Sequence, residues 1–436
     1  MEKNTLREKL YENRYALLLL LVIFAERIAV LCTLGLDYNL ANDDMGYIGS
    51  GIRLATTGVL GIYSDQPSAM IMPGMPALLA VMTTVFGTET AYWLSVKLLW
   101  GLMGTCTAWV VYKSVKLFTP TWCALVAMAA FLSPNVAWMD NLIMTETPYF
   151  LMFTCGVYYT LQMGRSDEQK YLLGFILSIV LGLSLRPTII ALPVFSWLYL
   201  WLLKKKPFLQ LVKRGILLLL AMLVLIAPWT ARNNGQFGEF VPLTYGAGNP
   251  LLLGTYQGYG YPDDAELDLE TNVEQVWRET YADELDDSGK VLDPRQEQRL
   301  TLEKDRIHAE YRMEVWWDTN PLSMVLSYLL IKPAAMVIKA FYWVELFGVP
   351  RWAIEAVRLG DFVLCCAAVI LALRRREHRA ELGFLAITYW GFIYAMSMAY
   401  SFSRYGETIM CLRYIMVGIG LSLLCKTYRE KKKNKG

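Results

Sequence analysis

Apolar residues along this chain fall into long unbroken runs, not into the spaced stripe of a soluble helix or the alternation of a strand. Leu17 to Leu36 is interrupted only by Glu26 and Arg27, and Ile216 to Trp229 carries no charge. Similar windows recur about every 20–30 residues, and ~20 apolar residues in a helix cross a ~30 Å hydrocarbon layer. Inside that layer only helices or closed barrels satisfy their own backbone, and barrel-like alternation is missing here. The pattern predicts an all-α polytopic membrane protein with spans at 15–36, 91–112, 120–138, 146–163, 171–186, 188–203, 215–230, 360–373, 381–401 and 407–425. Two further segments are ambiguous. Residues 69–87 are apolar but broken by Pro73 and Pro76, and fit a juxtamembrane or re-entrant segment. Residues 321–358 mix aromatics with Lys332, Lys339, Glu345, Arg351, Glu355 and Arg358, and fit either one interfacial helix or two imperfect crossings. The expectation is therefore about ten to twelve spans.

Composition agrees with this: 55% of the 436 residues are hydrophobic and 18% charged, against roughly 45–50% and 25% in soluble proteins. The net charge of +2 hides a segregation. Residues 231–320 hold 19 of the 39 acidic residues but only 8 of the 41 basic ones. Basic clusters at Lys3/Arg7/Lys9/Arg14, Lys113/Lys116, Lys204–Lys206 with Lys213/Arg214, Arg374–Arg376 with Arg379, and the tail after Lys426 are expected to face the cytoplasm. Both termini then lie inside, and 37–90, 139–145, 231–320 and 402–406 lie outside. A full crossing at 69–87 would put Lys113 and Lys116 on the wrong side. The tail reads as a membrane anchor, not a nucleic-acid arm. The chain divides into an N-terminal transmembrane module (1–230) whose first outer loop is 37–90, an extracytoplasmic cap (231–320), C-terminal transmembrane helices (321–425) and a basic tail (426–436). The eight cysteines sit in or beside apolar runs and form no disulfide framework or metal-like spacing. No cleavable signal peptide is evident, and the first apolar run is long enough to stay as an anchor.

Candidate chemistry gathers on the predicted outer side. Asp43 and Asp44 follow the first span, and a carboxylate beside a low-dielectric surface resists ionisation and can serve as a base near neutral pH. An Asp-Asp pair in a loop is otherwise a solvated turn or helix cap. Glu146, in Thr145-Glu146-Thr147-Pro148, opens a span on the same side, where it either caps the helix or joins Asp43. Arg186, Arg232 and Arg404 lie near outer span ends, with Arg413 just inside the last span. Positive charge there runs against the usual bias, and arginine's fork of donors suits a phosphate. Snorkelling, or pairing with an acid such as Glu407, is the plainer reading. Glu26 and Arg27 inside the first span are expected to pair with another helix.

In order along the chain, these pieces resemble the class C phospholipid-carrier-dependent membrane glycosyltransferases, the superfamily of protein O-mannosyltransferases and the lipid A aminoarabinose transferase. The carriers of the resemblance are Asp43-Asp44-Met45-Gly46-Tyr47, Tyr63, Pro73-Gly74-Met75-Pro76, Ser133-Pro134 with Thr145-Glu146, Arg186-Pro187, Pro228 to Asn233 with the Gly-rich stretch Gly246 to Gly254, and Arg404-Tyr405. The sequence departs from the family pattern in having Asp44 in place of Glu, Met72 where relatives often place His or Lys, and Gly406-Glu407 after Tyr405. The resemblance implies a bundle with juxtamembrane helices and a small cap. It also implies transfer of a sugar from a polyprenyl-phosphate donor to a protein, lipid or envelope-glycan acceptor, inverting, on the extracytoplasmic face of the cell membrane. By the same resemblance Asp43 is the base, with Asp44 and Glu146 beside it. Arg186, Arg232 and Arg404 hold the donor phosphate, and Tyr47, Asn233 and Tyr405 line the pocket. Asp43 and Glu146 either bind a divalent cation or orient the acceptor. No nucleic-acid partner is implied. A transporter or lipid flippase remains the alternative, although it should place ionisable groups near the bilayer midplane and often shows internal repeats, which this chain lacks. A non-catalytic scaffold subunit would explain the topology but not the paired acids and outer arginines.

Overall fold

The computed structural model describes residues 11–433, so the predicted cytoplasmic residues Lys3, Arg7 and Lys9 and the last three residues of the tail fall outside the described residues. Among the described residues every regular element is a helix, apart from one isolated bridge between Leu285 and Val291. The protein is an all-α polytopic membrane protein. Each of the ten predicted spans coincides with helix. Among the described residues six helices are long and apolar enough to cross a bilayer alone: Arg14–Leu34, Thr90–Lys116, Phe208–Phe237, Pro321–Ile338, Arg351–Arg375 and Cys411–Lys433. Others are shorter or broken. Residues 120–138 run as Thr121–Ala129, a 3-10 turn and Pro134–Met139, with Pro134 starting the last piece.

Helices Thr90–Lys116 and Cys411–Lys433 are the most enclosed of the six, and Trp100, Tyr112 and Trp138 fill the space around them. The peripheral helices turn large apolar side chains outward: Leu18 and Leu21 on Arg14–Leu34, Leu219 and Val224 on Phe208–Phe237, Val357 and Leu373 on Arg351–Arg375. In water such patches would drive aggregation; in lipid they are the solvated surface. Phe208–Phe237 has 30 residues, ~45 Å at 1.5 Å per residue, so it outreaches the ~30 Å hydrocarbon layer. Its last turns, carrying Arg232 and Asn233, stand beyond the apolar region, and Gly238 ends it in the left-handed conformation.

Both ambiguous segments resolve. Gly74–Phe86 is a 13-residue helix, ~20 Å long and too short to cross. It packs on the helix Asp43–Thr57, with Gly51 against Leu79. Residues 321–358 are not a single element. Pro321–Ile338 is helical throughout, 339–350 is irregular, and 351–358 are the first turns of Arg351–Arg375. Although Pro321–Ile338 is long enough to span, its contacts run along one end of the bundle: Ser323 donates to the Gly260 carbonyl, Lys332 to the Gly254 carbonyl, and Met336 meets Ser397 and Arg358. Its polar contacts are thus with the cap and with the ends of neighbouring helices, while its length and composition keep it among the helices able to cross.

Between Phe237 and Pro321 the chain folds back over the same end. Gly248–Gly254 lies on the helix Glu297–Thr319, and Trp277, Leu285 and Leu300 form a small core of their own. Arg312 anchors this cap from within, donating to Thr255 at 2.8 Å and the Pro262 carbonyl at 2.9 Å, and pairing with Asp264.

Candidate functional site

Four charged side chains from four separate segments meet at the capped end. Asp43 occupies the first turn of Asp43–Thr57. Glu146 opens Glu146–Met163, where the helix's unpaired N–H groups favour a carboxylate. Arg186 ends Gln169–Leu185 in an extended conformation, because Pro187 excludes the helical one from the residue before it. Arg404 comes from the short helix Ser403–Glu407.

Arg404 stands between the carboxylates. Its Nη2 lies 2.5 Å from Asp43 Oδ2 and its Nε 3.2 Å from Glu146 Oε1. Arg186 pairs with the same Glu146 oxygen and donates to Thr145 Oγ1 at 2.7 Å. The Tyr405 ring sits 5.4 Å from each guanidinium carbon. Glu146 is buried and its second oxygen has no hydrogen-bond partner among the described residues, whereas the Asp43 side chain is 26% exposed. The group balances two negative charges with two positive ones, and it bonds largely through side chains, which can rearrange.

Tyr63 completes the site, its hydroxyl donating to Asp43 Oδ1 at 2.6 Å. It reaches there from a left-handed backbone (φ +62°), a conformation that costs a non-glycine residue on the order of 1–3 kcal/mol and is found at functional sites. Its ring covers Gly46 so closely that a Cβ there would collide with it. The sequence places Tyr63 only as a family tyrosine; its contact with Asp43 depends on how the loop folds back.

Burial opposes ionisation of Asp43, but Arg404, the Tyr63 hydroxyl and the more distant Arg186 outweigh it and hold the carboxyl below its usual range. This reverses the sequence-based expectation of a carboxyl raised toward neutrality: the low-dielectric surface is present, but so is a cation in contact. Burial, then Asp43 as hydrogen-bond acceptor, pushes the Tyr63 phenol well up, so it stays a donor. Tyr47, behind the cluster, is raised to about 12, chiefly by burial.

Three residues expected at the site are engaged elsewhere. Asp44 accepts backbone N–H groups from Leu40 (2.5 Å), Asn42 (3.1 Å) and Met45 (2.9 Å), so it fixes the turn into its helix. Arg232, expected at the donor phosphate, donates to the backbone carbonyls of Ser68 and Leu60 at 2.8 and 2.9 Å. Asn233 donates to the Val241 carbonyl. The physical reason is shared: each lies beside irregular backbone whose polar groups must be satisfied. Glu407, offered as a partner for Arg404, is taken by Arg358. As a divalent-cation site, Asp43 and Glu146 are a poor donor set. A guanidinium lies between them, and among the described residues no group of three His, Cys, Asp or Glu side chains gathers to hold a metal.

Compared with known proteins, residues 65–231, less than half of the chain, match the family described as dolichyl-phosphate-mannose-protein mannosyltransferase. That stretch includes Glu146, Arg186 and the Tyr47-proximal helix pair's partner Gly74–Phe86, but not Asp43 or Arg404. The solved oligosaccharyltransferase AglB from Archaeoglobus fulgidus, in complex with an inhibitory peptide and a dolichol-phosphate, superposes with a TM-score of 0.57 at 10% identity. The match covers 97% of this chain and 52% of that one, so the chain spans about half of AglB's length. The likeness is one of fold: the helical bundle of this chain is similar to that of AglB. ArnT from Cupriavidus metallidurans bound to undecaprenyl phosphate is also similar, at 15% identity over 93% of this chain and 78% of that one, with a TM-score of 0.44. No curated protein sequence matches. In this fold the charged quartet lies at the capped end, where the irregular segments between helices converge.

Proposed function

We propose that the protein transfers a sugar from a polyprenyl-phosphate-linked donor to an acceptor hydroxyl on the extracytoplasmic face. The observation that carries this reading is the meeting of Asp43, Glu146, Arg186 and Arg404 at one end of a class C bundle. The match to a dolichyl-phosphate-mannose family and the likeness of fold to a protein solved with dolichol-phosphate support the donor class.

In this reading the donor phosphate takes guanidinium donors of Arg186 and Arg404, a fork geometry suited to phosphate oxygens. Glu146, bound to both arginines, keeps them together before the donor arrives. As Arg404 turns to the phosphate, Asp43 loses part of the charge that depresses its pKa and becomes a better base at the moment of use. The acceptor oxygen then bonds to the anomeric carbon, the bond from that carbon to phosphate oxygen breaks, and the acceptor proton passes to Asp43. One displacement inverts the anomeric centre, and the arginines stabilise the departing polyprenyl phosphate. Tyr63 holds the Asp43 carboxylate in place. Arg232 acts on the loop that carries Tyr63, not on the phosphate.

The test is transfer from a polyprenyl-phosphate-linked sugar by the purified chain in liposomes. Asp43→Asn should lower transfer by roughly 10²–10⁴-fold while the donor still binds. An unchanged rate would remove Asp43 as base. Movement of the lipid-linked sugar across the bilayer with no transfer at all would favour the flippase reading.

A further inference from the structure

A cavity opens beside the site, between the first outer loop and the cap. It has a volume of about 360 Å³, within the ~300–1,000 Å³ range of small-ligand clefts. One wall is Tyr63 and Gln66 from the loop; the other is Asn249 with Gln298, Thr301 and Asp305 from the helix Glu297–Thr319. The two walls are tied together at the base. Gln298 donates to the Ile62 carbonyl at 2.5 Å and accepts from Ser68 Oγ at 2.6 Å. The cleft is thus a built junction, and its loop wall is pinned a second time by Arg232.

The lining says what would fit. Asn249 donates to Asp305 at 3.0 Å, which sets a carboxamide and a carboxylate side by side. With Gln66 and the Thr301 hydroxyl they offer mixed donors and acceptors at short spacing, the complement of neighbouring hydroxyl groups. Tyr63 is exposed and lines the cleft while its hydroxyl is bound to Asp43. Charge excludes a polyanion: Glu297 and Asp305 line the cleft, and its one described cation, Arg295, is already paired with Asp293. A peptide would want a free strand edge or a row of separate apolar pockets; here the apolar surfaces of Pro67, Met70, Pro294 and Leu302 alternate with carboxamide, carboxylate and hydroxyl groups, matching the apolar faces and polar edges of a sugar ring.

We propose that this cleft binds the acceptor, and that the acceptor is a neutral glycan whose terminal hydroxyl reaches Asp43 past the edge of Tyr63. The assignment rests on the transferase reading, which it deepens by naming the acceptor class.

The test uses the full chain in lipid nanodiscs, without donor. The probes are linear trisaccharides of glucose, mannose, galactose, arabinose and N-acetylglucosamine, a Ser/Thr-rich peptide, and a glycerol-phosphate hexamer, each followed by saturation-transfer NMR. At least one trisaccharide should bind, and Thr301→Trp, which fills the cleft from an exposed helix face, should weaken it at least tenfold. Asn249→Ala is the milder second variant, with severalfold weakening expected. Binding by none of the trisaccharides, binding unaffected by both variants, or binding only of the peptide or the phosphate polymer would overturn the proposal. Because this assay involves no transfer, a bound trisaccharide together with undiminished transfer by Asp43→Asn would sink the base and leave the cleft standing. The reverse outcome would do the opposite.

Discussion

Arg27 and Arg404 are both arginines bound to two carboxylates, yet they are built to different ends. Arg27, deep in the first span, is bound by Asp140 at 3.0 Å and Glu26 at 2.6 Å and also donates to the Phe131 carbonyl at 2.8 Å. Asp140 is held in turn by Thr147 at 3.0 Å. Arg413 repeats the pattern with Asp361 and the carbonyls of Val337 and Arg358. These clusters take backbone as well as side-chain partners, and backbone cannot leave. Arg404 instead bonds two side chains and the Met144 sulfur, beside an open cleft. A charge locked by backbone holds helices together; a charge shared between movable side chains can be handed to a substrate.

The comparison can be broken most sharply by removing one partner from each group. Asp43→Asn should cost transfer its ~10²–10⁴-fold with the unfolding temperature shifted by no more than a few degrees. Arg27→Met should leave buried acid behind and cost ~3–5 kcal/mol of stability, seen as loss of folded protein in detergent at moderate temperature. If Arg27→Met folds normally, the interior pairs are not structural. Arg404→Ala comes next: it should weaken donor binding at least tenfold and shift the pH profile. In the native protein the Asp43 pKa is lowered, so its stabilising contribution is present above the unfolded value of ~3.9 and is lost as pH falls through the lower folded value. Without Arg404 burial dominates, so the acidic limb of activity should move toward neutral pH, measured as rate against pH between about 3 and 7. A limb that does not move would show that Arg404 does not set the Asp43 charge. The smallest effect is expected of Tyr63→Phe, which deletes one hydrogen bond worth ~0.5–1.5 kcal/mol and should lower the rate about two- to tenfold without altering donor affinity.

Much of the architecture was legible beforehand. The ten apolar windows coincide with helical stretches because an apolar run among apolar neighbours must bond its backbone within the segment, although only five of them fall on helices long and apolar enough to cross a bilayer alone. The ambiguous segments were unclear for a physical reason too. Pro321–Ile338 has the composition of a span, yet its Lys332 and Ser323 find carbonyl partners in the cap. At the site, Asp43, Glu146, Arg186, Arg404 and Tyr405 come together as expected. Asp44, Arg232 and Asn233 do not join them, because each was claimed by nearby backbone.

What the sequence determined by itself is therefore the membrane, the helices and the side chains able to do chemistry, all of which follow from hydropathy and from the cost of stray charge. Which of those side chains meet was decided only by the tertiary structure. Asp43 and Arg404 are far apart along the chain, and neither residue's neighbours reveal that they will touch. The folding back of the loop at Tyr63 and the seating of the cap on it through Gln298 likewise depend on long-range contacts. Those contacts turned a carboxyl expected near neutrality into one held ionised, and a gap between loop and cap into a cleft beside it.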